Sequence, residues 1–245
     1  MTLIGDNPIG DNLARVREQI AAACARVGRD PASVTLIAVS KTHPIEAIYA
    51  ARAAGVQHFG ENRVEEAERK IAVVRSDAPI TWHMIGHVQS RKAKDAAPLF
   101  AVVHSVDTLK VARKLSDAAV EGAKTLDLFV EMNVSGEASK GGFAAARWAD
   151  DPTVRAALFA DVAAIAALPN VRLRGLMTMA PIVAQMEDAR PVFAALVSLR
   201  DALRESLGLE LADLSMGMTD DYPVAIEMGA TLVRVGRAIF GERQG

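Results

Sequence analysis

Lys41 follows Ser40 and a short, mostly apolar run rich in β-branched residues, Val34 to Val39, which reads as a buried strand. Pro44, close behind, cannot continue a ladder. One amine is therefore expected at the carboxyl end of a core strand, the end at which parallel α/β sheets bind ligands. Most lysines are simply solvated, and this stretch alone does not separate a strand-flanking lysine from a working one. The other end of the chain supplies a complement. Leu232-Val-Arg-Val-Gly236-Arg-Ala-Ile-Phe-Gly241 reads as a strand, a glycine turn and the start of a short helix. Backbone N–H groups at such a start bind phosphate, and barrels commonly hold one after their last two strands. Gly236 permits close approach and Arg237 adds a cation, although an ordinary tight-turn glycine explains the same residue.

The neighbouring loop runs from Ser215 and Met216 through Thr219 to Asp220 and Asp221. Thr219 reads as a helix N-cap. The two carboxylates suit the positive helix end and repel a phosphate there. The phosphate is therefore expected at Gly236 and Arg237, with the hydroxyls of Ser215 and Thr219 reaching it from the side. Arg234 interrupts the apolar series Leu232, Val233 and Val235. A buried arginine is costly without a partner, so it faces either solvent or a polar site. A lysine, a phosphate-holding turn and an inward arginine together describe pyridoxal 5'-phosphate (PLP). Lys41 would carry the Schiff base, since a desolvated lysine near other cations is the better nucleophile. Arg234 would face the pyridine nitrogen and keep it unprotonated, which weakens the ring as an electron sink. Asn62, His83, Met177 and Met216 join the candidate set around the same mouth. His83 reads as a satisfied histidine lining the pocket rather than as a base. The histidines and carboxylates show no ligand spacing, so no metal site is expected.

These residues meet only if the elements bring them to one face. After a helix over Asn12–Val27, strands are expected at Val34–Val39, Gln57–Phe59, Ile80–Ile85, Phe100–His104, Thr125–Val134, Val171–Met177, Leu211–Ser215 and Thr231–Val235. Helices alternate with them over Pro44–Ala54, Arg63–Arg75, Val88–Ala97, an Asp107-capped stretch to Val120, Thr153–Ala167, Gln185–Leu207, Asp220–Met228 and a last turn Gly236–Phe240. Repeated βα units with short connections specify a parallel sheet. The expectation is an α/β chain forming a single (β/α)8 TIM barrel domain over residues 1–245, with an additional N-terminal helix. An open doubly wound sheet is the alternative, because sequence does not show closure.

Composition narrows the partners. The 245 residues are 51% hydrophobic and only 4% aromatic, with a formal net charge of -2. That charge makes no case for nucleic acid or an anionic membrane. Cys24 is the sole cysteine and lies on the apolar part of a helix, as a buried thiol does. No apolar run approaches the ~18 residues of a membrane span. Met1–Pro8 lacks the basic and apolar regions of a signal peptide, so a cytoplasmic protein is expected. Arg91, Lys92 and Lys94 form a basic patch, and Lys140 sits in a glycine-rich loop. Both read as solvated surface or as receivers of an anionic ligand, a second PLP site included, and the loop as a lid.

Several motifs in order make the chain resemble the YggS/PROSC group of PLP-binding homeostasis proteins. They are Ala38-Val-Ser-Lys-Thr42, Phe59-Gly-Glu-Asn62, Trp82-His-Met-Ile-Gly86 with Gln89-Ser90, Ser139-Lys-Gly141, Arg174-Gly-Leu-Met177, Leu214-Ser-Met-Gly-Met-Thr-Asp-Asp221, and Val233-Arg-Val-Gly236 with Ala238-Ile-Phe-Gly241. The resemblance covers nearly the whole chain. It implies a barrel like the N-terminal domain of alanine racemase, cofactor on Lys41, and a role in buffering or delivering PLP, with effects on amino-acid and keto-acid balance. Arg63, Arg91 and Arg237 depart from the group, which frequently has an aromatic, an Asn and a small hydroxyl residue there.

A racemase on this barrel needs a second acid/base, which alanine racemases take from a tyrosine of an additional β domain. The sequence runs to Gly245, just past the last strand, and its only tyrosines are Tyr49 and Tyr222, on or beside helices. The expectation is a monomeric cofactor-carrying protein without established catalysis, serving PLP-dependent apo-enzymes. A narrow amino-acid racemase or lyase using His83 or Lys140 is the first alternative, and a non-covalent binder of a phosphorylated metabolite the second.

Overall fold

The computed structural model describes residues 8–74 and 79–242. Strands β1 (Thr35–Val39), β2 (His58–Glu61), β3 (Thr81–Met84), β4 (Val102–Val106), β5 (Leu126–Asn133), β7 (Val171–Met177), β8 (Asp213–Ser215) and β9 (Leu232–Val235) close into a ring. Every pairing in it is parallel, from Val39 opposite Gly60 round to Ile37 opposite Arg234. Closure selects the barrel over the open sheet. The two-residue β6 (Phe143–Ala144) has no counterpart in the expected elements and pairs with β5 outside the ring.

Helices α1 (Pro8–Arg26), α2 (Ile45–Ala53), α3 (Val64–Val73), α4 (Ala93–Leu99), α5 (Leu109–Glu121), α6 (Pro152–Ala166), α7 (Arg190–Leu207), α8 (Tyr222–Glu227) and α9 (Arg237–Phe240) surround it. Leu13, Val16, Ile20 and Ala23 form the buried stripe of α1, and Cys24 is buried with them. One large core lies between strands and helices. A second, small one of Ile37, Val102, Phe129, Met177 and Leu232 lies inside the ring. Period-two alternation along the strands separates the two. Gly175 marks a place where only hydrogen fits, since a Cβ there would stand 1.7 Å from the Asp213 carbonyl oxygen. No helix among the described residues is long and apolar enough to cross a membrane.

Three boundaries shift for identifiable reasons. The fourth strand begins at Val102, because the Phe100 amide still closes α4 on the Ala96 carbonyl. The cap of α5 is Thr108, whose hydroxyl accepts from the Val111 amide at 3.2 Å, while Asp107 turns to His87 at 2.7 Å. Thr108→Ala is therefore expected to cost about 1 kcal/mol in a denaturant melt. Asp107→Ala should leave the cap intact, and equal costs would count against this assignment. Finally, α8 starts at Tyr222 rather than Asp220, so Thr219 is not its cap. Asp221 holds that position without capping, and its carboxylate accepts from the Met218 amide at 2.6 Å.

Candidate functional site

Lys41 sits in the turn that ends β1. The Ser40 amide still pairs with the Gly60 carbonyl, and the His43 amide closes the turn on the Ser40 carbonyl at 3.1 Å. Thr42 adopts φ 65, a left-handed conformation that a β-branched residue takes only under constraint. The constraint is visible. The Thr42 amide donates to the Glu66 carboxylate at 2.6 Å, and Lys70 of α3 donates to that same oxygen at 2.7 Å. Lys70 also reaches the Ser40 carbonyl at 2.7 Å and Glu61 at 2.8 Å, while the Ser40 hydroxyl donates to Glu61 at 2.6 Å. Burial pushes the Glu61 carboxyl upward, and the Lys70 and Ser40 hydrogen bonds pull it back. A buried ion cluster thus anchors both sides of the lysine's turn.

At the carboxyl ends of the strands lies a cavity of about 480 Å³, lined by Lys41, Thr219, Arg234, Gly236 and Arg237 among others. Five of the ten candidates named from sequence therefore meet in one place. Gly236 lies against β1, where a Cβ would stand 3.3 Å from the Val39 carbonyl oxygen. The α9 turn after it leaves its first amides without intrahelical acceptors. Arg237 binds both oxygens of Asp220 through Nη2, and its Nε lies 3.5 Å from Glu242, so its charge at this rim is already balanced.

Arg234 faces the barrel interior and is 4% exposed. It donates to the Ser215 hydroxyl at 2.6 Å and to the Thr178 carbonyl at 2.9 Å. Burial lowers its pKa to about 10, against the opposing pull of Asp221 and Glu131. Ser215 is fully buried and continues inward to His104 Nδ1 at 2.8 Å. His104 Nε2 meets His83 Nδ1 at 2.8 Å, and His83 Nε2 meets His58 Nδ1 at 3.0 Å. Desolvation keeps all three imidazoles neutral at pH 7: it lowers His58, takes His83 to about 3 with help from His58, and places His104 well below its ordinary value.

The other candidates fall elsewhere. Ser215, expected beside a phosphate, holds Arg234 instead. Met177 belongs to the inner apolar cluster and Met216 to the core outside the ring. His83 is 2% exposed and satisfied by two histidines, and it borders an opening at the amino-terminal mouth rather than the Lys41 cavity. Asn62 follows β2 with its side-chain oxygen buried and no protein partner. Arg91 bonds Gln89, Lys92 pairs with Glu65 and Asp95, and Lys140 lies 3.9 Å from Glu137. Sequence reading missed His104, Glu61 and Lys70. For His104 a signal existed: on β4 it shares a face with Val102, an inward position.

Residues 12–244 match the family model for the alanine racemase N-terminal domain. The chain is 45% identical over 235 residues to the pyridoxal phosphate homeostasis protein of Pseudomonas aeruginosa, covering 96% of each. It is 40% identical over 243 residues to the Escherichia coli protein of the same name, covering 97% of each. The solved structure of PipY from Synechococcus elongatus with PLP bound superposes with a TM-score of 0.80 at 37% identity, covering 95% of this chain and 100% of that one. A closed parallel barrel, the motif order and these full-length likenesses agree, and the chain belongs to the pyridoxal phosphate homeostasis family built on the alanine racemase N-terminal domain.

Proposed function

We propose that this protein binds PLP and acts in PLP homeostasis, buffering the cofactor and delivering it to PLP-dependent apo-enzymes. The observation that carries this reading is that Lys41, Arg234 and Gly236 line one cavity. Its volume of about 480 Å³ is within the range typical of small-molecule sites. The donor set fits the cofactor: an amine for the aldehyde, an arginine for the ring nitrogen, and a glycine turn with spare amides for the phosphate. Bound there, PLP supplies an aldehyde that a lysine amine takes up reversibly with loss of water, and an electron-withdrawing ring. The chain's own residues do the rest. Lys41 is presented by a braced turn, Arg234 is held from behind by Ser215 and Thr178, and Gly236 keeps the rim open.

Storage rather than turnover is favoured by where the tyrosines lie. Tyr222 is 1% exposed and its hydroxyl is bound to Gln19, and burial raises its pKa to about 12. Tyr49 sits on α2, its hydroxyl 3.4 Å from the Val73 carbonyl. Neither lines the cavity, so neither is placed to serve as a second proton carrier. The protein acts as one domain over residues 1–245, monomeric and cytoplasmic.

Trapping tests the reading. Protein mixed with PLP should gain a visible absorbance band, and borohydride should fix the cofactor to the peptide containing Lys41. Lys41→Ala should abolish the trapped mass. A band that persists without any adduct on Lys41 would remove the covalent claim, and no band at all would remove the cofactor.

A further inference from the structure

The histidine series has a direction, and the direction follows from what each atom can do. Arg234 has no acceptor, so at the Ser215 hydroxyl it donates. The Ser215 proton is then free to go to the remaining partner of that oxygen, His104 Nδ1, 2.8 Å away. A neutral imidazole that accepts at Nδ1 carries its proton on Nε2. His104 therefore donates to His83 Nδ1, and His83 in turn donates to His58 Nδ1. The hydrogen-bond network thus fixes one tautomer for each ring. With this assignment both ring nitrogens of His83 and of His104, and the Ser215 hydroxyl, each have a partner, alongside the apolar side chains inside the ring. His104 is further fixed by stacking on Phe129, with ring centroids 4.6 Å apart.

The two ends open on different mouths. Arg234 borders the Lys41 cavity, while His58, the first residue of β2, borders an opening of about 200 Å³ at the amino-terminal end. The charged and titratable groups around His58 there are His83, Asp127, Arg174 and Asp213. Arg174 is bound to Asp213 at 2.6 Å and lies 3.7 Å from Asp127, so that rim is internally paired.

We propose that His58, His83, His104 and Ser215 form one polarised positioning chain for Arg234, so that the protonation state of His58 at the amino-terminal mouth and the hold on Arg234 at the carboxyl-terminal mouth depend on each other. A charged His58 carries a proton on Nδ1 as well as Nε2, so His83 Nε2 must become an acceptor and its proton move to Nδ1. His104 must change in the same way. The neutral series holds one proton on each of the four groups, and the charged series holds the same four plus the one added to His58. In that second arrangement Ser215 accepts from both His104 and Arg234, and its own proton has lost its acceptor in a fully buried position. The two arrangements thus differ in free energy through a contact that Arg234 makes, and linkage makes the dependence reciprocal.

Imidazole nitrogen NMR on the whole 15N-labelled protein tests this without any ligand. At pH 7.5 all three histidines should be neutral with the proton on Nε2. Ser215→Ala should release the His104 tautomer and shift the His58 pKa by about one unit, a tenfold change in proton affinity two imidazoles away. Ser215→Thr, which keeps the hydroxyl, should restore both and covers the case in which the alanine variant folds poorly. An Nδ1 proton on His104 in the wild type, or an unchanged His58 in a folded Ser215→Ala, overturns the proposal. Adding PLP extends the test and rests on the cofactor reading above. A visible band with a moved His58 signal supports the coupling, and a band with an unmoved one refutes it. If no band forms, the cofactor reading fails while the ligand-free spectra still judge the chain.

Discussion

Replacing Lys70 with Met is expected to lower the free energy of unfolding by roughly 3–5 kcal/mol, the cost of leaving a buried ion without its counter-ion. Lys70 and Glu61 are 6% and 0% exposed, and the ammonium serves three acceptors: the Ser40 carbonyl, Glu61 and Glu66. Without it, Glu61 retains only the Ser40 hydroxyl, and its second oxygen already lacks a protein partner. The charge then has one exit, which is to take up a proton. Glu61 in this variant has a folded pKa above its unfolded value. Its folded form is favoured at low pH, and stability falls as pH rises through the window above 4.5. The loss should therefore be smaller at pH 5 than at pH 7. Adding Glu61→Gln removes the stranded charge and should recover much of the loss, because a neutral amide costs less to bury. Guanidinium melts of the two variants at both pH values decide it. A loss under about 1 kcal/mol at pH 7 would show that the cluster does not behave as a desolvated ion pair. The consequence reaches the site, because the same Glu66 oxygen that Lys70 holds accepts from Thr42, the residue that turns the chain at Lys41.

What sequence showed and what it hid divide along a physical line. The barrel was legible because each strand and each helix declares its own period, and Val171–Met177 is recovered residue for residue. Lys41 and Gly236 were legible because both lie just beyond a strand that ends in its own neighbourhood of the chain. Ser215, His83 and Met216 were assigned to the mouth because they stand near strand ends, but whether a side chain faces the ring or the helices depends on register. Ser215 points in and Met216 out, one residue apart. Lys70 was hidden for a different reason. It sits among Glu65, Glu66, Glu68 and Arg69 on a helix that reads as solvated, and only the tertiary approach of Glu61 and Ser40 makes it a core residue. Clusters assembled across 21 to 111 positions, such as Ser40 with Glu61 or His104 with Ser215, leave no local pattern to read.

Acid should weaken this protein well above the pH at which carboxylates alone would act. Burial, and next the neighbouring His58, take the His83 pKa from 6.5 to about 3. Above pH 6.5 His83 is neutral in both folded and unfolded chains and contributes no pH dependence. Below it the unfolded chain binds a proton that the folded chain refuses, so stability falls by about 1.4 kcal/mol per pH unit for this one group. Over the whole interval down to the folded pKa that amounts to about 5 kcal/mol, a large part of a typical domain's stability. His104, fully buried and held well below its ordinary value, adds to the slope, and His58, lowered by its partial burial, acts in the same direction. Glu61, Glu131 and Asp221 oppose it. Burial raises their carboxyls, so the folded chain takes up their protons first and acid favours it. The histidine share can be isolated by difference. Unfolding free energies of wild type and His83→Gln, measured from pH 7 to pH 4.5, should diverge in slope by about one proton, with the wild type the steeper. Parallel slopes would mean that His83 charges inside the barrel, and a charged imidazole there would need an acceptor on both sides that His58 and His104, each offering one nitrogen to it, can supply only by giving up the one-way arrangement that seats Ser215 against Arg234.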